Sequence, residues 1–445
     1  MALLYPRTAT MLILGSISLI LGGHLSNPPL MAMGLALILS PLTAYTFLQF
    51  STGRLDLLKV ERITDKADVF AGEYLYVKVT VRNLGSQPFD LVEVIDQVPE
   101  GLNLTVGENT LHTPIDPYEE VTYSYILHCP KRGKYELGPT TIKIKDRFSY
   151  FEMSREAYPS QTVYVCPTME DVRRLEMMER RGMDLLSGVH QTKIKGIGTE
   201  FFGLREYIPG DEYRRIDWKA TARLLRPIVR EYETERQISI MILLDTSLSM
   251  GGGPEGQTKL EYAIRASVLI AHLALKRGDR VGILLYSDHV RRCITPKGGR
   301  KHFYNILRAL AEAQPEGQTS LREAVSHILP RLKERTITFI ITDLEEETPT
   351  LVESIELMRA SGHPIVVISP FGPSFEELRL AGNEVTRAYA EAASESIRED
   401  REDLILDLRA RGVHVIDVSP SDVIPAVLGE YLKAKASGVI REWRG

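Results

Sequence analysis

Ile240-Met241-Ile242-Leu243-Leu244-Asp245-Thr246-Ser247-Leu248-Ser249-Met250 joins an unbroken apolar run to a cluster of oxygen-bearing side chains. An apolar run of this length reads as a strand buried on both faces, which is what a parallel sheet requires. Similar runs recur at Val281–Tyr286, Ile337–Ile341, Ile365–Ile368 and Val413–Val418. Between them lie helical stretches, Lys259–Lys276, Lys301–Ala313, Ser320–Arg335, Leu351–Arg359 and Ser394–Arg411. Strands alternating with helices predict an α/β doubly wound domain over 237–445. Ligands in such sheets bind beyond the C-terminal ends of the strands.

Three segments fall at or near those ends: Asp245 to Ser249, Gln318-Thr319-Ser320, and Thr342-Asp343-Leu344. Each offers oxygen ligands only. A small hard cation takes about six oxygens and keeps several waters. Ser247, Ser249 and Thr319 supply hydroxyls, and Asp245 and Asp343 supply charge, so the expected ion is Mg²⁺ or another divalent cation such as Mn²⁺ or Ca²⁺. The count leaves a coordination position for an outside oxygen. The plainer reading is that Asp and Ser cap helix N-termini at strand-to-helix turns, a role open to Thr319 as well. As loop residues, these side chains are expected to be water-exposed and dispensable for folding.

Upstream, no Lys, Arg, Asp or Glu lies between Arg7 and Arg54. Apolar runs at Thr10–Leu25 and Leu30–Phe50 flank a helix-breaking Asn27-Pro28-Pro29, which predicts a transmembrane helical hairpin over 1–55. A cleaved signal peptide explains the first run but leaves the second stranded. Arg54, Lys59, Arg62 and Lys66 follow the second run, so the positive-inside rule puts both ends and the soluble domains in the cytoplasm. Period-two runs such as Tyr74–Val81 and Val121–Leu127, with turn signals between them, predict a β-sandwich over 56–167. Residues 168–236 read as a helical linker, Met169–Ser187, and a charge-rich segment.

The net charge of -5 gives no reason to expect nucleic acid, and residues 196–236 hold eight Lys or Arg against eight Asp or Glu. Arg205, Arg215, Asp217 and Arg223 are expected to pair within the protein, and Trp218 to anchor a core. Glu345–Glu347, just after Asp343, could tune the charge of the site but reads better as a solvated loop, and Ser394–Asp407 reads as a solvated helix face. Cys129, Cys166 and Cys293 are too scattered for a disulfide framework or zinc site and read as small hydrophobes. No Walker-type loop, metal-binding His pair or Gly-x-Ser-x-Gly elbow is present, which argues against an enzyme. A Mg²⁺-dependent phosphoryl-transfer site lacks a Lys or Arg clamp assigned by motif. A structural scaffold with a non-functional metal site is the remaining alternative.

Asp245-x-Ser247-x-Ser249 after an apolar strand, a distant Thr319 and a later Asp343 resemble the metal-ion-dependent adhesion site of von Willebrand factor A domains. Glu200-Phe201, Arg205-Glu206-Tyr207, Pro209-Gly210-Asp211, Arg215-Ile216-Asp217-Trp218 and Ala222-Arg223 resemble the signature of the domain-of-unknown-function fifty-eight family. The resemblance implies a membrane-anchored adaptor that takes a partner protein's carboxylate on its metal. It also implies work with a MoxR-type AAA+ ATPase in complex assembly or maturation.

Overall fold

The computed structural model describes residues 2–4, 6–52, 55–145, 150–180, 195–196, 200–233, 237–254, 256–345, 349–370, 401–418 and 423–436. It divides into two compact units, Met1–Cys166 and Pro167–Gly445.

The first unit opens on two antiparallel helices, α1 (Pro6–His24) and α2 (Pro28–Thr52). Their packing inverts that of a soluble core. Thr8, Gly15, Ser18 and Gly22 are the buried residues of α1, whereas Ile13, Leu14, Ile17, Ile20 and Leu21 are each at least half exposed. Glycine lets the backbones meet, as in helix pairs that associate in lipid. A Cβ on Gly34 would sit 2.7 Å from the Leu19 backbone nitrogen. Gly34→Val is therefore expected to splay the hairpin, and a lower melting temperature in detergent would report it; an unchanged one would contradict this packing.

The β-rich remainder of the unit contains a four-stranded sheet ordered Leu58–Thr64, Tyr74–Asn83, Glu120–His128 and Asn103–Gly107. A five-stranded sheet is ordered Ala2–Leu4, Phe151–Tyr158, Thr140–Lys145, Phe89–Asp96 and Thr110–Ile115. Val60, Val77 and Leu127 from the first share one apolar core with Val92, Val94 and Ile142 from the second. One ion pair is sunk in this unit. Arg62 Nη1 donates to Asp96 Oδ1 at 2.6 Å, and the Tyr125 and Thr140 hydroxyls donate to the same carboxylate. Arg62 Nη2 also donates to the Pro159 backbone oxygen at 2.8 Å, which offsets part of the cost of burying the charge, while its Nε has no hydrogen-bond partner among the described residues.

The second unit is built on a six-stranded sheet. Its strands are β1 (Ser239–Asp245), β2 (Arg280–Tyr286), β3 (Val290–Lys297), β4 (Thr336–Ile341), β5 (Ile365–Pro370) and β6 (His414–Val418). The spatial order is β3-β2-β1-β4-β5-β6, parallel except for β3. All seven residues of β1 are buried, as the apolar run requires. The antiparallel edge strand β3 is not among the expected strands. Its half-buried sequence Val-Arg-Arg-Cys-Ile-Thr-Pro-Lys has no unbroken apolar run, because an edge strand needs none. Met241, Leu243, Leu284 and Val367 pack with helices α7 (Leu321–Ile328) and α8 (Pro349–Ala360) and with helical residues 401–410. Helix α5 (Lys259–Lys276) also packs on the sheet, touching β1, β2 and β5, and α6 (Arg300–Glu312) packs on α5. The helix expected over Ser320–Arg335 stops at Ile328 and tightens to a 3₁₀ turn at Leu329–Arg331, where Pro330 removes a backbone donor.

Helix α3 (Glu170–Arg180) is the described part of the expected linker helix; 181–194 lie outside the described residues. It docks on α5 through Asp171, which receives two hydrogen bonds from Arg265. Among the described residues the charge-rich segment forms a three-stranded sheet, a 3₁₀ turn at Tyr213–Arg215 and a short helix, α4 (Trp218–Leu224), capped by the Asp217 side chain. Arg205 pairs with Asp211, Arg215 with Glu212 and Asp217 with Arg230, all within the segment. Arg223 has no partner among the described residues. Trp218 is 66% exposed rather than a core anchor. Helix α4 buries none of its residues, so the indole stays largely in solvent.

Candidate metal centre

Parallel register fixes the floor of the site. Leu244 lies beside Leu285 and Ile341, so Asp245, Tyr286 and Thr342 emerge together at the C-terminal edge of the sheet. The loop carrying Thr319 is tied on by backbone bonds, Glu316 N to Thr246 O at 2.8 Å and Leu248 N to Gly317 O at 2.9 Å. Gly317 has φ +74, and a Cβ there would stand 2.6 Å from Asp288 Oδ1, so only glycine fits this bend.

Asp245 is the hub. Its Oδ1 accepts from Ser247 N at 2.8 Å. Its Oδ2 accepts from the Thr319 hydroxyl at 2.7 Å and the Thr342 hydroxyl at 2.8 Å. Ser247 Oγ lies 3.1 Å from Ser249 Oγ. Asp245, Ser247, Ser249 and Thr319 are thus brought together as expected. Asp343 is close enough for its charge to act on Asp245.

The expectation of a water-exposed loop fails. Asp245 and Ser247 are 0% exposed and Asp343 is 1% exposed, because their hydrogen bonds turn them into the sheet edge. Only Ser249 and Thr319 are half-buried, so they form the open side. Burial foremost holds the Asp245 carboxyl at about 6, above its ordinary 3.8; the Thr319 hydroxyl pulls it down and Asp343's charge pushes it further up. The Tyr286 hydroxyl is buried beneath, beside the Thr342 and Thr319 hydroxyls, and burial drives its pKa well upward. Thr319 is not a helix cap, since Ser320 holds the N-cap position of α7.

Three groups here escaped the sequence reading: Thr342, Lys259 and Arg401. Thr342 donates to Asp245. Lys259, at the start of α5 and 0% exposed, donates to Asp343 Oδ2 at 3.2 Å and also to Glu345. Glu345 is consequently not part of a solvated loop; Glu346 and Glu347 lie outside the described residues. Arg401, expected on a solvated face, is 1% exposed. Its Nε donates to the Asp343 backbone oxygen at 3.1 Å and its Nη2 to Ser369 at 2.9 Å. A lysine at the first turn of an amphipathic helix carries no signal that its ammonium turns inward, so only the fold reveals this contact.

The donor set fits a small hard cation. The Asp245 carboxylate and three hydroxyls are brought together, with the Asp343 carboxylate near enough for its charge to reach Asp245, and all of these donors are oxygen. Lys259 is the opposing feature, because it already neutralises Asp343 in part.

Residues 203–398 match the family described as protein of unknown function DUF58. The uncharacterised protein Rv1480 of Mycobacterium tuberculosis is 29% identical over 261 residues, covering 56% of this chain and 79% of the relative. The uncharacterised protein YeaD of Bacillus subtilis is 27% identical over 262 residues, covering 57% and 62%. Among solved structures, BatB from Bacteroides thetaiotaomicron is 17% identical at a TM-score of 0.30, covering 45% of this chain and all of that one. An aerotolerance-related membrane protein from Bacteroides fragilis is also 17% identical, at 0.29, covering 44% and 99%. The von Willebrand factor A domain of SpRpn10 is 13% identical at 0.29, covering 44% and 95%.

Proposed function

We propose that this chain, which belongs to the DUF58 family over residues 203–398, is a membrane-anchored adaptor that binds a partner protein through a divalent cation. The observation that carries the reading is the convergence of Asp245, Ser247, Ser249, Thr319 and Asp343 at one end of a parallel sheet. Asp245 and Asp343 would hold Mg²⁺, Mn²⁺ or Ca²⁺ with the three hydroxyls. Neutral hydroxyl ligands leave the cation electrophilic, so it would accept a Glu or Asp from the partner. A MoxR-type AAA+ ATPase, implied by the family resemblance, is the first partner to test. A phosphoryl-transfer reading gains Lys259 but no phosphate clamp, since that ammonium is enclosed and engaged by two carboxylates.

The pH dependence follows from Asp245. A carboxyl held at about 6 when folded, against 3.8 ordinarily, binds its proton more tightly in the folded state. Its contribution to metal-free stability therefore declines as pH rises between those values. Metal binding has the opposite sign, because Mg²⁺ must displace that proton. Calorimetric Mg²⁺ affinity is expected to climb as pH rises through about 6 and to level off above it. Affinity independent of pH across that range would remove Asp245 from the ligand set.

Anchoring rests on the hairpin, whose small residues face inward and large apolar residues outward. Thr8 and Ser40 both touch Tyr150, so the hairpin extends beyond that residue by about 24 Å along α1 and about 18 Å along α2 at 1.5 Å per residue, shorter than the roughly 30 Å hydrocarbon core. Ala2–Leu4 pairs with Phe151–Tyr158, which keeps the N-terminus on the same side of the hairpin as the β-rich part. The charges that follow α2 favour the cytoplasm for that side. Flotation of the full chain with vesicles after carbonate washing is the expected result; release into the soluble fraction would refute anchoring.

A further inference from the structure

We infer that the outer face of α4 and the turn before it form a second membrane contact, docking the α/β unit on an anionic lipid surface. This rests on the anchoring reading above. The charge balance over 196–236 hides an uneven layout. Residues 204–230 hold seven Lys or Arg and only four Asp or Glu. Each of those four acids is already paired: Glu206 with Arg226, Asp211 with Arg205, Glu212 with Arg215 and Asp217 with Arg230. Arg214, Lys219 and Arg223 are left without a partner among the described residues.

Apolar side chains stand beside these cations. Trp218 is 66% exposed, Leu225 91%, Tyr213 73% and Ile208 60%. At 100° per residue, Trp218, Lys219, Ala222 and Arg223 share the outward arc of α4, while Ala220 and Thr221 face the sheet and are half-buried. Leu225 follows in a left-handed conformation, φ 52, which ends the helix and leaves its side chain in solvent. Tryptophan favours the headgroup region, and exposed Lys and Arg beside it add attraction to acidic lipid. A protein partner would equally bury the indole, but the excess of unpaired cations on a bilayer-tethered chain selects the lipid surface.

The test uses the full chain with Trp443→Phe, which leaves Trp218 as the sole tryptophan. The protein is reconstituted in vesicles of brominated phosphatidylcholine, with or without phosphatidylglycerol. With phosphatidylglycerol, Trp218 emission is expected to shift blue and to be quenched. Lys219→Glu and Arg223→Glu should each weaken the contact about five-fold, and high salt should suppress it. A chain that floats with the vesicles while Trp218 stays unquenched overturns this inference alone. Quenching that is equal without phosphatidylglycerol and indifferent to charge reversal overturns the anionic specificity. Capture of a protein by a crosslinker at position 218, with no lipid quenching, assigns the face to a protein and overturns it too. A chain that fails to float overturns the anchoring reading, and this one with it.

Discussion

Lys259→Met is expected to destabilise the metal-free protein by about 3–5 kcal/mol, the usual cost of stripping one partner from a buried ion pair. The ammonium and the Asp343 carboxylate are each 1% exposed, and Glu345 shares the same cation. Methionine fills much of the same volume, so the loss is electrostatic rather than a cavity. Two enclosed carboxylates would then face one another unneutralised. A divalent ion binding there should recover much of that loss, so Mg²⁺ should raise the melting temperature of Lys259→Met more than that of the unmodified protein. Thermal melts with Mg²⁺ and with EDTA check this. A variant as stable as the parent without metal would show that Lys259 carries no such charge role. A variant blind to Mg²⁺ would separate Asp343 from the metal.

Asp245→Asn should remove Mg²⁺ binding while sparing the fold. The change deletes one of two ligand charges, so the loss should exceed the roughly 10–100-fold typical of outer-shell changes. The amide oxygen can still accept from Ser247 N, and the amide nitrogen can donate to the Thr319 and Thr342 hydroxyls. Asp245→Ala is a poorer probe, because it strands those three donors in a buried pocket at about 1–3 kcal/mol each. Circular dichroism with a Mg²⁺ titration separates the two effects. Full Mg²⁺ affinity in a folded Asp245→Asn protein would place the ion elsewhere.

The sequence exposes what depends on local pattern and conceals what depends on contact. The apolar run ending at Leu244 announces a buried parallel strand, and Asp245 follows from it directly. Asp245, Ser247, Ser249 and Asp343 were readable as candidates because they follow strand ends, whereas Thr319 lies in a loop between two helices that backbone bonds to Thr246 and Leu248 tie to the sheet edge. Burial of Asp245 was not readable, since a polar residue after a strand looks like any loop residue until Thr319 and Thr342 close over it. Lys259 and Arg401 were hidden for a related reason. Each lies in a charged, helix-forming stretch, and only tertiary packing turns it towards Asp343. Strand β3 went unseen because an edge position tolerates Arg and Pro. Trp218 failed in the opposite sense, an aromatic expected inside that the short α4 leaves outside.

Metal-bridged binding is read most plainly by metal-dependent capture of a partner. The full chain and its Asp245→Asn variant would be crosslinked in native membranes, each with Mg²⁺ and with EDTA, and the captured proteins compared. A partner recovered only by the unmodified chain in Mg²⁺ is the expected result. The same partner recovered equally in all of these conditions would contradict metal-bridged binding.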